Sequence, residues 1–396
     1  MLRKNDFSVK PLSQRGEVRL GFRCNARCGF CYYQELLDNP IENEPTTKEL
    51  LECLNVLRKE GAKEVEFTGG EPTIRSDLVT LISHAKNIGF ENISVITNGL
   101  RLSKFSYAEY LVVAGVNDVL FSIHGADATT HDAHTKIPGS FSKIVKAFNN
   151  MQSLGVRCRA TCTVTGKNFT QVDQILALFL DLRASCVHFA VFSPVAQADG
   201  SEDGLCVSYS DVAEKLKRAI DKYETQLPPL SVKYIPFCFM HGYEKYIMNL
   251  YQQNYDPDDW NYYYSNKVRR ARSAFKSIMF DAMSLLGFFA AKDWRMPLRH
   301  GLQGIKVYGF TRVVELIRKK RLKQCRRCRY DLVCDHIWRE YAKRVKFSEI
   351  KEISGKKIRD PSWAYVMADY RSPGVRLTSV KSKTHRINVV QSEPHD

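Results

Sequence analysis

A chain of 396 residues that is 44% hydrophobic can bury a large core in more than one domain, which excludes a disordered tail protein. The N-terminus MLRKNDFSVK has no apolar h-region, and the longest apolar run, Leu285 to Ala291, is too short to span a bilayer. A cytoplasmic protein without a membrane partner is therefore expected, its twelve cysteines reduced and serving as metal ligands rather than as a disulfide framework. The formal charge of +16 is concentrated in Lys267 to Lys346, where 22 Lys or Arg stand against 6 Asp or Glu. The densest run, Arg318 to Arg329, reads either as a solvated face or as a contact for a phosphate, a carboxylate or a nucleic-acid backbone.

In chain order, strand-like and helical patterns alternate. A strand at Arg19 to Phe22 precedes a helix at Thr47 to Arg58, with Leu50, Leu51, Leu54 and Leu57 as its apolar face. Strands follow at Val65 to Phe67, Ile93 to Ile96, Val119 to Ile123, Arg157 to Val164 and Val187 to Phe192. Between them lie helices at Leu78 to Ile88, Tyr107 to Ala114, Phe141 to Leu154 and Val172 to Leu182. Six such repeats in about 200 residues predict an α/β fold, a partial six-stranded (β/α) barrel. Its active site is expected at the C-terminal strand ends.

Polar motifs sit at those ends. After the first strand, Cys24, Cys28 and Cys31 form a CxxxCxxC loop with Phe30 before the third cysteine. Three thiolates suit three corners of a cubane iron–sulfur cluster, leaving one iron open; structural zinc is the alternative, although its spacings usually pair two CxxC units. The second strand ends in Thr68-Gly69-Gly70-Glu71-Pro72, where glycines permit close approach to a ligand and Glu71 offers a carboxylate to an amino group, or where an ordinary turn lies. Thr97-Asn98-Gly99 ends the third strand, and Ser122-Ile123-His124-Gly125 the fourth. Arg159, Thr161 and Thr163 of the fifth, with Asn168 beyond it, are candidates for ribose or carboxylate contacts. His124 and His131 read as satisfied histidines in preference to a base.

The CxxxCxFC loop, GGEP about 40 residues later, the TNG strand end and the six-repeat order together resemble the radical S-adenosylmethionine (radical SAM) family, over Val18 to about Ala198. The resemblance implies a 4Fe–4S cluster on Cys24, Cys28 and Cys31 that chelates SAM, with Gly69, Gly70, Glu71 and Pro72 at the methionine amino group. Phe30, Asn98, Ser122, Arg159 and Thr163 are the further expected contacts. It also implies reductive cleavage to a 5′-deoxyadenosyl radical that abstracts hydrogen from substrate, with an electron donor such as flavodoxin or ferredoxin.

Beyond Gly200, SEDG reads as a linker, Ser210 as the cap of a helix with a Val212, Leu216, Ile220 stripe, and Val232 to Ile235 as a strand ending near Cys238. Tyr243 to Tyr264, rich in Tyr and Trp, is a helical insertion packed with aromatics or a lid or substrate wall. Cys325, Cys328 and Cys334 form a second ligand pattern, CxxCxxxxxC. It resembles the twitch and SPASM extensions of radical SAM proteins, and Trp338 stands where the larger SPASM form has a further cysteine, which implies one auxiliary 4Fe–4S cluster. Cys238 or Cys206 is its fourth ligand, with Cys238 preferred, and zinc is the alternative. Cys53, Cys158, Cys162 and Cys186 read as buried small hydrophobes.

The expected organisation is a lead-in at 1–17, a barrel at 18–200, an auxiliary-cluster domain with a helical insertion at 201–346 and a tail at 347–396. In the tail, Asp360 to Tyr370 is a candidate to dock, and Val380 onward is expected to fray. The leading expectation is a radical SAM enzyme acting on a small molecule, such as a sugar or nucleotide, or on a peptide, the substrate being anionic in one version. RNA modification and non-catalytic metal-dependent nucleic-acid binding are the alternatives.

Overall fold

The computed structural model describes residues 11–33, 44–193, 204–261, 263–266, 274–344 and 349–365. Most of the SEDG linker and everything from Val380 onward lie outside them.

Seven parallel strands, β1 (Arg15–Arg19), β2 (Glu64–Thr68), β3 (Asn92–Thr97), β4 (Asp118–Ser122), β5 (Arg157–Val164), β6 (Val187–Val191) and β7 (Leu230–Lys233), pair in simple sequence order. The expected partial barrel is present with one strand more than the repeats predicted. Leu230–Lys233 pairs with β6, Phe189 opposite Val232, so a segment read as part of the second domain completes the first sheet. The first strand also lies earlier than expected, because Arg15 to Arg19 pair with Glu64 to Thr68.

Helices cover the outside: α1 (Thr47–Lys59), α2 (Leu78–Asn87), α3 (Phe105–Ala114), α4 (Ala128–Thr135), α5 (Ser140–Ser153), α6 (Val172–Asp181) and α7 (Tyr209–Tyr223). The reason is local. In α1, Thr46 accepts a hydrogen bond from the Glu49 amide while the Glu49 carboxylate accepts from the Thr46 amide, and Leu50, Leu54 and Leu57 then meet the sheet at helical spacing. Outward-facing Val65, Phe67, Val95, Val119 and Phe121 receive these stripes.

The inward face is polar, and its floor is ionic. Arg159, fully buried, donates to Asp118 (2.8 Å), Glu66 (2.7 Å) and Ser94 (2.8 Å), and Arg15 lies 3.2 Å from Asp118. Four strands thus meet in one buried salt-bridge network at the N-terminal end of the barrel, and β3 joins it through the Ser94 hydroxyl. Burial alone would disfavour the Arg159 charge, but the Glu66 and Asp118 carboxylates overcome that and raise its pKa.

β1 and β7 are the sheet's two edges, and the aromatic-rich stretch spans the gap between them. Ile247 forms a parallel bridge with Val232 beside β7, and further on the Ser13 amide donates to the Asn254 carbonyl and the Asn261 amide to the Arg15 carbonyl. The Asp258 carboxylate pairs with Arg157 at 2.5 Å and its carbonyl accepts from Arg15 and Arg159; Asp259 pairs with Lys233. This stretch is built of short turns rather than a long helix, and it closes the barrel beside its ionic floor, away from the strand ends where a lid would act.

The remainder is helical: α8 (Ala274–Phe289), α9 (Arg295–Arg299) and α10 (Gly301–Arg318), then β8 (Lys319–Lys320) paired antiparallel with β9 (Ile337–Trp338), and α11 (Arg339–Arg344). One continuous core joins this part to the barrel.

Candidate active site at the C-terminal mouth of the barrel

The loop after β1 is held against the end of β2 by backbone bonds: the Gly70 amide donates to the Gly21 carbonyl and the Glu71 amide to the Arg23 carbonyl, both at 2.9 Å. A Cβ on Gly70 would collide with the Arg23 and Phe22 carbonyls, and one on Gly69, whose φ is 134°, with that of Gly21. The two glycines, expected to admit a ligand, are therefore required by the chain's own cysteine loop. Pro72 is buried and opens the short turn Pro72–Ile74.

Glu71 is the hub of the mouth. Although only 3% exposed, its carboxylate accepts four hydrogen bonds: Oε1 from the Thr73 amide (3.1 Å) and from the hydroxyls of Thr73 (2.6 Å) and Thr97 (2.7 Å), Oε2 from the Asn98 amide (2.8 Å). Burial pushes its pKa up and these donors oppose the shift. Asn98, so placed, reaches the cysteine loop, donating to Asn25 Oδ1 at 2.8 Å with Cys24 Sγ at 4.0 Å. The spacing of the sequence did not reveal Asn25 or Thr73, although Thr73 lies two residues after Glu71, as a side-chain-capped turn requires.

The three thiols of Cys24, Cys28 and Cys31 are partly exposed on this loop. Burial pushes Cys24 up to about 11 and Cys28 up to about 12, and in Cys28 the neighbouring Cys31 and Cys24 add to the effect. Thiols in such a place lose their protons only to a bound cation, and no fourth thiol stands with them in the loop, so the donors fit a cluster held by three cysteines. Phe30 packs edge-on against His124 at 4.6 Å and touches the small cluster of Phe192, Leu205 and Cys206.

Ser122 and Thr163 are half-buried, on the same inward parity as Asp118 and Arg159 but further toward the mouth. Arg159 does not join them. Its place in the floor, with every partner a residue of the chain, corrects the expectation that it touches a cofactor: a strand position three or four residues too early puts a side chain at the wrong end of the barrel. His124 and His131 are satisfied, as read: His124 Nδ1 accepts from the Thr163 amide and His131 Nδ1 from the His124 amide. Burial, then His131 and His134, hold His124 well below the usual histidine range.

Residues 18–179 match the model of the Radical SAM superfamily. Those residues are a radical SAM domain. The probable GTP 3′,8-cyclase of Saccharolobus solfataricus is 29% identical over 182 residues, covering 45% of this chain and 56% of that protein. The AdoMet-dependent heme synthase of Nitratidesulfovibrio vulgaris is 27% identical over 202 residues, covering 51% and 54%. The chain thus spans about half the length of the curated relatives it matches. Among solved structures, Streptococcus suis SuiB bound to S-adenosylmethionine aligns at a TM-score of 0.48 with 16% identity, over 56% of this chain and 50% of that one.

Outside the part matched to the radical SAM model, the second cysteine set is drawn together by long-range contacts. Phe237 stacks on Tyr330 with ring centroids 5.2 Å apart, which sets Cys238 beside the Cys325–Cys334 loop. Burial pushes Cys238 up to about 12, with Cys328 and Cys325 acting in the same sense; Cys334 is raised by burial, then by Asp335 and Cys238. Of the two cysteines left open by the sequence, Cys238 is the one that joins this loop, and Cys206 lies at the barrel mouth by Phe30.

Two lysines brace the loop's carbonyls. Lys292 donates to Asp331 and Cys334, and Lys357 to Arg326 and Cys328. Neither was visible as a partner in the sequence, because each lies about 30 residues or more from the cysteines it supports. Among the described residues, no three His, Cys, Asp or Glu side chains converge closely enough for one bare ion. The corners of a cubane stand wider apart, and four thiols, Cys328 and Cys334 buried with Cys238 and Cys325 half-buried, fit that donor set. The basic run beside it is not wholly free: Lys319 is buried against Asp335, Arg321 pairs with Asp331, and Arg327 with Glu352.

Proposed function

We propose that the protein is a radical SAM enzyme carrying a 4Fe–4S cluster on Cys24, Cys28 and Cys31 and a second 4Fe–4S cluster on Cys238, Cys325, Cys328 and Cys334. The observation that carries the first part is the joining of the three-cysteine loop to the ends of β2 and β3 through Gly70, Glu71 and Asn98. When bound, the cluster and SAM supply one-electron cleavage to methionine and a 5′-deoxyadenosyl radical that takes hydrogen from a substrate carbon.

The chain's own residues then have defined tasks. Glu71 fixes Asn98 and keeps one lone-pair direction of Oε2 for the SAM amino group. Gly69 and Gly70 keep the mouth's rim flush with the cysteine loop. Ser122 and Thr163 offer hydroxyls on the lumen wall, and Phe30 with Phe192 shields the loop from water. The ionic floor blocks the other end of the lumen, so substrate enters at the mouth.

The names of the two curated relatives, a GTP cyclase and a heme synthase, support a small-molecule substrate. An electron donor of the flavodoxin or ferredoxin type completes the proposal. The test is anaerobic reconstitution with iron, sulfide, reductant and SAM, followed by chromatography for 5′-deoxyadenosine. Cys24→Ala, Cys28→Ala and Cys31→Ala should each abolish its formation; cleavage retained in any one of them would overturn the assignment.

A further inference from the structure

Of the fifteen large apolar side chains exposed among the described residues, eleven lie between Phe275 and Ile317. Six of these fall on one helix. Phe275, Ile278, Met279, Leu285, Leu286 and Phe289 recur in α8 at helical spacing, with Phe275 72%, Leu286 71% and Phe289 83% exposed. The opposite face of α8 is the one that packs: Phe280 lies 4.7 Å from Phe310, and Gly287 meets the Gly309 carbonyl of α10 so closely that neither glycine has room for a Cβ. α8 is thus apolar on both sides, one buried by the protein and one open. Asp281, its one acidic residue, is turned aside to Tyr263 and Lys306.

Charge decides what suits the open side. All six acidic residues between Lys267 and Lys346 are buried or half-buried, whereas Lys276, Arg295, Arg299, Arg318, Lys320 and Lys323 are exposed. Trp294 stands exposed beside Arg295, its ring centroid 6.0 Å from the guanidinium, just past the C-terminal end of α8. Leu316 lies one turn beyond Arg312, whose Nε donates to the Ala290 carbonyl at that same end. An apolar stripe of Phe, Leu and Ile, in a segment whose exposed charges are all cationic, with a flanking Trp, matches a bilayer interface carrying negative headgroups. A nucleic-acid backbone would use the charges and leave the stripe in water.

We propose that the outward face of α8, with its basic surround, seats the protein on an anionic lipid bilayer, the helix lying in the headgroup plane with Phe275, Ile278, Met279, Leu285, Leu286 and Phe289 inserted. No helix among the described residues is long and apolar enough to cross a membrane, and α8, 16 residues long, spans only about 24 Å. Hydropathy asks whether a segment crosses, which is why the expectation of no membrane partner followed from the sequence; a helix lying along the surface is found by the direction of its exposed face.

The test uses the full chain floated with vesicles of phosphatidylcholine alone or mixed with phosphatidylglycerol. The protein should float with the anionic vesicles, about tenfold less with neutral ones, and less as salt rises. The double variant Leu286→Glu, Phe289→Glu should lose binding by about tenfold or more, with circular dichroism and melting temperature unchanged. Arg295→Glu with Arg299→Glu should weaken the preference for anionic vesicles. Failure of the wild type to float, or equal flotation of the Leu286→Glu, Phe289→Glu variant, would overturn the proposal. So would sedimentation showing a dimer that this variant dissolves without any vesicle binding, since α8 would then be an interface between two copies.

Discussion

Glu71→Gln tests the reading of the barrel mouth most directly. The carboxylate accepts from two backbone amides, of Thr73 and Asn98, and from two hydroxyls, of Thr73 and Thr97. A glutamine amide has one oxygen and one NH2. If the NH2 takes the Oε1 position, both threonine hydroxyls can turn and accept from it, but the Thr73 amide is left facing a donor. If it takes the Oε2 position, the Asn98 amide is left so. Either way one buried N–H loses its acceptor, which costs about 1–3 kcal/mol, and the remaining bonds lose their charge assistance. A loss of about 2 kcal/mol corresponds to a melting temperature lower by about 2–4 °C for a chain of this length with one continuous core. Glu71→Ala, which strips all four donors, should cost more, about 3–5 kcal/mol. In reconstituted protein the Glu71→Gln cluster absorbance should survive while SAM affinity falls by about 1–3 kcal/mol, as Asn98 and the free direction of Oε2 are disturbed. Melting curves and SAM titration decide the matter. A Glu71→Gln protein that melts like the wild type would refute the hub, whatever its activity.

Three further outcomes are expected. The wild type should hold about eight irons and the triple variant of Cys24, Cys28 and Cys31 to Ala about four, by iron assay and EPR; zinc in their place, or no residual cluster signal, would remove the second centre. Glu315 accepts from Lys292 (2.6 Å), His336 (2.9 Å), Tyr251 (2.6 Å) and Arg312 (2.8 Å) while 3% exposed, so Glu315→Ala strands a buried lysine and should destabilise by about 3–5 kcal/mol. An unchanged melting temperature would show that network to be slack. Burial, then Asp259 and Asp258, raises Asp256 to about 7. A carboxyl raised on folding binds its proton more tightly in the folded state, so its favourable contribution is present at low pH and is lost as pH rises from the unfolded value through the folded one. Asp256→Asn keeps an oxygen for the Asp258 amide and should therefore melt higher than the wild type at about pH 8, with a smaller advantage at about pH 5. A difference independent of pH would contradict the shift.

Alternating apolar runs and helical stripes determined the repeated strand–helix order, and with it the C-terminal mouth, because periodicity is a property of neighbouring residues that folding does not alter. Cys24, Cys28, Cys31 and the Cys325 to Cys334 loop were legible for the same reason: ligand spacing is local. Only the tertiary structure sets Cys238, and not Cys206, beside that second loop, since Phe237 stacks on a tyrosine 93 residues away in number while Cys206 follows the chain back to Phe30. It also sent Arg159 to the ionic floor, made Gly69 and Gly70 answer to the Gly21 and Arg23 carbonyls, and turned the aromatic-rich stretch into the closure between β1 and β7. In α8 both faces are apolar, so no pattern in its residues could tell which would pack; the close crossing at Gly287 and Gly309 buried one and left the other to the solvent side. Each of these outcomes depends on which distant groups exclude water from a side chain, and only the folded chain defines that.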